Sequence, residues 1–397
     1  MILLDSYNNF ISRFSKFRDI LLYLLVSVEL FMMLYEKTDL PLSTPGYVFR
    51  VTFAMTMLVI LFTQYSLKQW IAIIFTGIIG VISYKITGNN DLIRIGMFVC
   101  ACKSADIEKL LRYICVFSTV GFSMIFVASV SGIYGNLYLQ GDFGRSDKHE
   151  LRYVFGFGHP NTVHGSFFAV ALLILYLTRK LDRNIKLGIC VVLLSLNWIL
   201  GDYTGSRTGV MAATFAIFLA VIAMHLDKKK KFKFPYIFGA AFLAFSVFIS
   251  ILAAAVSPYV GDKLGDGNEF LWKLNRRVTG RIWTLYADSQ LHKGSLESWR
   301  LFGDRYSGEY FFDMGWVRVF YWYGIIPAIL IIALFFILIY DLYKRQNLDM
   351  LIMVTAISAY TIVEAGFVSS YIGRNYMLPV LGVYLLGGLT CREKTSI

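Results

Sequence analysis

Apolar residues along this chain come in runs of bilayer-crossing length, separated mostly by short polar connections. The runs lie at about 20–36, 47–64, 69–86, 92–103, 110–134, 161–178, 185–201, 207–226, 235–256, 315–341, 348–370 and 374–390. A helix of about 20 apolar residues spans the hydrocarbon core of a membrane, and a soluble α/β protein does not repeat such segments along its whole length. The pattern predicts an all-α integral membrane protein with about 12 transmembrane helices, in one polytopic domain covering residues 1–397. The fourth run is too short to cross alone and reads as a broken or tilted segment buried in protein. Two long polar intervals interrupt the alternation, 135–160 and 257–314, and the second is expected to be a partly helical loop.

Charge orients the bundle. One alternating set of short connections holds Lys68; Lys103, Lys109 and Arg112; Arg179, Lys180, Arg183 and Lys186; Lys228–Lys231 with Lys233; and Lys344 with Arg345. Arg13, Lys16 and Arg18 near one terminus, and Arg392 with Lys394 near the other, belong to the same set. The other set is nearly bare, with Lys37 and Lys85 as examples. Short basic loops stay in the cytoplasm, so both termini are expected inside and the two long intervals outside. The interval 257–314 carries Lys263, Lys273, Arg276, Arg277, Arg281, Lys293, Arg300 and Arg305. Long loops cross regardless of charge, and positive charge on the outer face suits an anionic, lipid-linked substrate.

Composition agrees: 57% of residues are hydrophobic and mean hydropathy is +0.60. The net charge of +12 reads as basic cytoplasmic loops, with no nucleic acid as partner. The first span lacks a small-residue cleavage pattern, so no cleavable signal is expected. None of the five cysteines falls in an outer loop, so no disulfide framework is expected, and Cys100 with Cys102 lack the spacing of a zinc site.

Charges inside membrane spans are costly and need a reason. Glu29, Arg50, Arg94, Arg207, Arg318 and Glu364 all fall in or near the outer halves of their spans. Either they pair, Glu29 or Glu364 with an arginine, or together they line a polar cavity opening to the outer leaflet. The stretch Gly156-Phe-Gly-His-Pro-Asn-Thr-Val-His-Gly165 opens the sixth run. Pro160 suits a first helical turn and Asn161 or a neighbour suits a cap; the rival reading makes His159 and Asn161 substrate-binding groups. His159 and His164 would need further ligands to hold a metal, and none is expected. In Thr204-Gly-Ser-Arg-Thr-Gly209, Ser206 can cap the next helix, where the dipole and Arg207 together would favour an anion; the plain alternative is an interfacial arginine reaching to water. Arg277 and Arg281 would share a face if they lay on one helix, with Arg276 pointing elsewhere. That arrangement is either a phosphate clamp or a solvated loop helix. Asp313, just before the tenth run, is a candidate N-cap or general base.

These residues resemble a bacterial polysaccharide polymerase of the O-antigen ligase and polymerase superfamily, Wzy-type. The likeness rests on Gly158-His-Pro-Asn161, on Ser206-Arg207-Thr-Gly209, on Thr279-Gly280-Arg281-Ile-Trp283 followed by Leu301-Phe-Gly303, and on Asp313 with Gly324 eleven residues later. It implies a GT-C-like membrane glycosyltransferase of the bacterial cytoplasmic membrane, working on the outer face without a nucleotide sugar, cofactor or essential metal. Donor and acceptor would both be undecaprenyl-diphosphate-linked oligosaccharides. A flippase and a chain-length regulator would be protein partners. The resemblance gives Arg207 and Arg281 the donor diphosphate and Asp313 the acceptor. Arg276, Arg277, Arg305, His159, Asn161, Arg50, Arg94, Arg318 and Glu364 are candidate substrate contacts. The ligases carry His where this chain has Asp313, which favours a polymerase. A ligase-type transferase, a lipid-linked oligosaccharide flippase or other transporter, and a non-catalytic assembly factor are the alternatives.

Overall fold

A computed structural model describes residues 2–38, 45–141, 143, 150–226, 231–260, 268–287, 294–305 and 311–387. Lys228–Lys230, Lys263, Lys293, Cys391, Arg392 and Lys394 lie outside the described residues. The chain is 77% helical. In order, the helices are α1 (Ile2–Ser12), α2 (Ser15–Glu36), α3 (Pro45–Leu61), α4 (Leu67–Thr87), α5 (Asp91–Ala101) and α6 (Ile107–Val130), then, after a hairpin, α7 (Pro160–Leu177), α8 (Arg183–Thr204), α9 (Arg207–Ala223) and α10 (Phe234–Val256). Two short helices follow, α11 (Glu269–Arg277) and α12 (Arg281–Ala287), and then α13 (Gly315–Tyr323), α14 (Ile325–Arg345), α15 (Leu348–Val363) and α16 (Met377–Leu381), which runs on into a π turn at Gly382–Leu386.

Each apolar run contains helix, but the eleventh is helical only to Val363. Among the described residues six helices, α4, α6, α7, α8, α10 and α14, are long and apolar enough to cross a membrane; α3, α9, α15 and the segment 377–386 are shorter apolar helices. Many large apolar side chains point outward, among them Ile71, Ile74, Phe75 and Ile78 on α4 and Phe238, Phe245 and Phe248 on α10. Soluble monomers do not expose contiguous apolar surface of that kind, so this is a membrane-embedded helical protein. The centre is occupied by α15, buried along most of its length and packed on α7, α9, α10 and α14.

The short α5 packs on α4 and α3. Gly80 allows the approach, since a Cβ there would stand 2.8 Å from the Ile93 Cα.

The structure corrects the continuous tenth span. The chain breaks at Gly324, with φ 91° and ψ 169°. The N–H groups of Ile325 and Ile326 donate to Arg300 O (2.9 Å) and Leu301 O (3.0 Å) instead of continuing α13. All nine residues of α13 are buried, and Trp299 stacks on Phe320 with centroids 4.5 Å apart.

The interval 135–160 holds an element the hydrophobic pattern did not suggest. Strands β1 (Tyr138–Gly141) and β2 (Glu150–Tyr153) pair antiparallel, Tyr138 opposite Tyr153. Tyr153 meets Tyr203 at the end of α8 edge-on, 5.2 Å between centroids.

Polar contacts gather the connections into two ends. At one, Glu108 accepts from Arg179 (2.6 Å) and Lys180 (2.7 Å), and Phe232 N donates to the Gln346 side chain. At the other, Glu36 meets Arg374, Asp91 meets Ser370, and Glu364 meets groups from three other segments.

Candidate functional site

The site is built around one buried carboxylate. Glu364 follows the last residue of α15, and its N–H closes that helix on Tyr360 O at 2.9 Å. Its Oε1 accepts from Asn161 Nδ2 (3.0 Å), Thr208 Oγ1 (2.9 Å) and Arg281 Nη2 (2.5 Å). One oxygen thus ties together α7, α9, α12 and α15.

Each donor is placed by local sequence. His159 is the residue before α7, and its Nδ1 accepts from Asn161 N at 3.2 Å. The cap is therefore His159, and Asn161 keeps its side chain for Glu364. Burial holds the His159 ring below its ordinary value, with the nearby Asp313 charge opposing; a neutral ring fits an accepting nitrogen. Thr208 is held by the close approach of α9 to α7. A Cβ on Gly209 would stand 2.5 Å from the His164 ring. His164 is fully buried and bonds Asn197 at 2.8 Å, so it locks α7 to α8. Ser206 stands at the N-cap position of α9 but makes no side-chain cap bond.

Arg281 opens α12. The chain turns through Thr279 (φ 61°) and Gly280 (φ 77°), and Asn275 Oδ1 accepts from Ile282 N (3.1 Å) and Trp283 N (3.0 Å). Positive φ costs a glycine little, which is why the turn falls there. This overturns the shared-face reading: Arg277 ends α11, Arg281 begins α12, and only Arg281 is buried. Its Nε lies 3.5 Å from Asp313 Oδ2 and, buried, makes no hydrogen bond. Asp313 is well exposed, and the residue at the N-cap of α13 is Met314, so Asp313 does not cap that helix.

A cavity of ≈ 170 Å³ opens beside Glu364, with His159, Asn161, Asp313, Arg318, Lys37 and Arg374 on its walls. Arg318 is committed to backbone, donating to Phe312 O (3.0 Å) and Val368 O (3.1 Å), with its guanidinium 4.8 Å from the Trp322 ring centroid. Of the residues singled out in the sequence, the structure brings His159, Asn161, Arg281, Asp313, Arg318 and Glu364 together. Nothing in the sequence pointed to Thr208, a hydroxyl inside a motif read for its arginine, to Lys37, read only for topology, or to Arg374, the first residue of the last apolar run.

The other expected contacts lie apart from the cavity walls. Arg207 is exposed, and among the described residues its side chain makes no hydrogen bond or ion pair; it adjoins Thr208 in sequence. Arg276, Arg277 and Arg305 are exposed. Arg50 is exposed over the Tyr47 ring. Arg94 is buried between Glu29 (3.7 Å) and Asp91 (3.4 Å), with Phe49 across its guanidinium at 3.8 Å, and it holds α5 to α2. Among the described residues no group of three or more His, Cys, Asp or Glu side chains is placed to hold a metal. No protein-family model, curated protein or solved structure matches the chain.

Proposed function

We propose that this protein is a membrane glycosyltransferase that polymerises undecaprenyl-diphosphate-linked oligosaccharide repeat units into a surface polysaccharide at the outer leaflet. The observation that carries the reading is the buried Arg281, clasped by Glu364 and facing Asp313, beside a polar cavity at one end of an apolar helical bundle. A hydroxyl of the acceptor sugar attacks the anomeric carbon of the donor. The new glycosidic bond forms as the bond to the lipid diphosphate breaks, and the diphosphate leaves with the electron pair. Guanidinium groups bind phosphate oxygens bidentately, and Arg281, with Arg207 next to the Thr208 that bonds Glu364, neutralises the charge that the leaving group develops. The hydroxyl proton passes to a carboxylate, for which Asp313 is the exposed candidate. The attack inverts the anomeric carbon.

The direct test is reconstitution. Purified protein with lipid-linked repeat units and no nucleotide sugar should give a ladder of polymers on a gel. Movement of intact lipid-linked substrate across the vesicle, with no ladder, would make the protein a flippase. Transfer of glycan only to a different lipid acceptor would make it a ligase.

Two further outcomes are expected. A single cysteine introduced at the exposed Glu297 should react with an impermeant thiol reagent in intact cells, and one at the exposed Asn184 should not. Labelling of Asn184 alone would reverse the orientation. For Asp313, the Asn variant keeps shape and an acceptor oxygen but loses charge. If Asp313 takes the proton, Asn and Ala are equally inactive while donor still binds. If it only orients the acceptor, Asn retains most of the rate and Ala loses it. Normal polymer from the Ala variant would remove Asp313 from the mechanism.

A further inference from the structure

The cavity has a second charged wall that bond exchange does not use. Lys37 follows the last residue of α2, and Arg374 ends the short turn Ile372–Arg374. The turn lies directly on α2, since a Cβ on Gly373 would stand 2.4 Å from Glu29 O. This contact sets Arg374 beside Glu36, where Nη2 donates to both carboxylate oxygens. Glu36 therefore balances one of the two cations. The Nε of Arg374 is buried and has no hydrogen-bond partner. The Lys37 ammonium makes no hydrogen bond or ion pair among the described residues; the Phe122 ring stands 5.8 Å away. Burial, and then the Arg374 charge, push that ammonium down to about 7, with Glu36 opposing. Lys37 is half-buried, and an anion beside it would restore its charge and pair its free donors, which are costly to draw out of water unpaired.

We infer that Lys37 and Arg374 form a subsite for an anionic group carried by a sugar ring seated in the cavity, a carboxylate or a phosphate ester, so that the repeat unit is acidic. This rests on the polymerase reading above. The volume of ≈ 170 Å³ accommodates about ten to fifteen water-sized groups, which suits one substituted pyranose and not an oligosaccharide. A ring there turns its anion to Lys37 and its hydroxyls to Glu364 and Asp313. A neutral ring leaves Lys37 unpaired and is disfavoured.

The test needs no turnover. Full-length protein in nanodiscs is titrated with methyl glucuronide, a glucose phosphate ester and methyl glucoside, and binding is read by saturation-transfer NMR. At least one anionic probe should bind the wild type about tenfold or more tighter than the glucoside, the gain of one charge-assisted pairing. Whichever does so identifies carboxylate or phosphate. Lys37→Met should erase the preference and Lys37→Arg should keep it, which separates lost charge from lost fold. Equal binding of all three probes, or a preference that survives Lys37→Met, overturns the subsite. Lys37-dependent binding in a protein that builds no polymer overturns the polymerase reading and leaves the subsite standing. Polymerisation without any charge preference in binding does the reverse.

Discussion

Arg281→Gln and Glu364→Gln should each abolish polymer, and each should also destabilise the protein. The two side chains are 7% and 9% exposed and meet at 2.5 Å. Removing one partner of such a pair leaves the other charge buried, at a cost of about 3–5 kcal/mol. The double variant should recover most of that stability, because two amides can still bond each other and Asn161 and Thr208 keep a partner. It should not recover activity. Loss of a charged contact to a developing anion costs about 10²–10³ in rate, and no amide replaces it. Arg281→Lys should keep much of the stability and little of the rate, since a point charge cannot reproduce the fork. Thermal melts in detergent beside gel ladders separate the two effects. Full polymer from the double variant would show that the pair only braces the fold. Strictly additive losses of stability would mean that the two charges are not coupled.

The bundle was legible because a bilayer imposes one rule on every span: the run must be long and apolar. Even the short α5 was readable, from length alone. The break at Gly324 was not, because the residues around it, Val319 to Tyr323 and then Ile325 onward, stay apolar across it. Hydropathy records burial and cannot tell a straight helix from two segments meeting in protein. The hairpin escaped for the opposite reason, since two four-residue strands leave too short a pattern to stand out. Within the site, Glu364 and Arg281 were flagged by the cost of their charge. The clamp of Arg277 with Arg281 failed because it assumed helix across Thr279-Gly280, a pair whose glycine is itself a turn signal. Lys37 and Arg374 escaped because a cation at a helix end normally reaches water, and only packing shows that these two meet one cavity.

Gly324→Ala should be among the most damaging single-methyl changes in the chain. Its Cβ would fall 2.3 Å from both the Phe302 Cα and the Gly303 N, backbone atoms that cannot rotate away, and its φ of 91° is already strained for any side chain. The contact is reciprocal, since a Cβ on Gly303 would stand 2.4 Å from Trp322 O. The Leu301-Phe-Gly303 stretch and Gly324 are therefore two halves of one backbone crossing. That crossing ends α13, and α13 carries Arg318 and is preceded by Asp313, so the polar wall depends on it. A destabilisation beyond about 4 kcal/mol is expected, the range reserved for backbone strain and forced overlap. Gly188→Ala is the control: it lies within α8 with open space around its Cβ and should be neutral or stabilising by about 0.5–1 kcal/mol. The measurement is the yield of monodisperse protein extracted from membranes, with its melting temperature. A Gly324→Ala protein that accumulates and melts like the wild type would mean that the chain does not cross itself here, and that α13 and α14 form the single span their composition suggests.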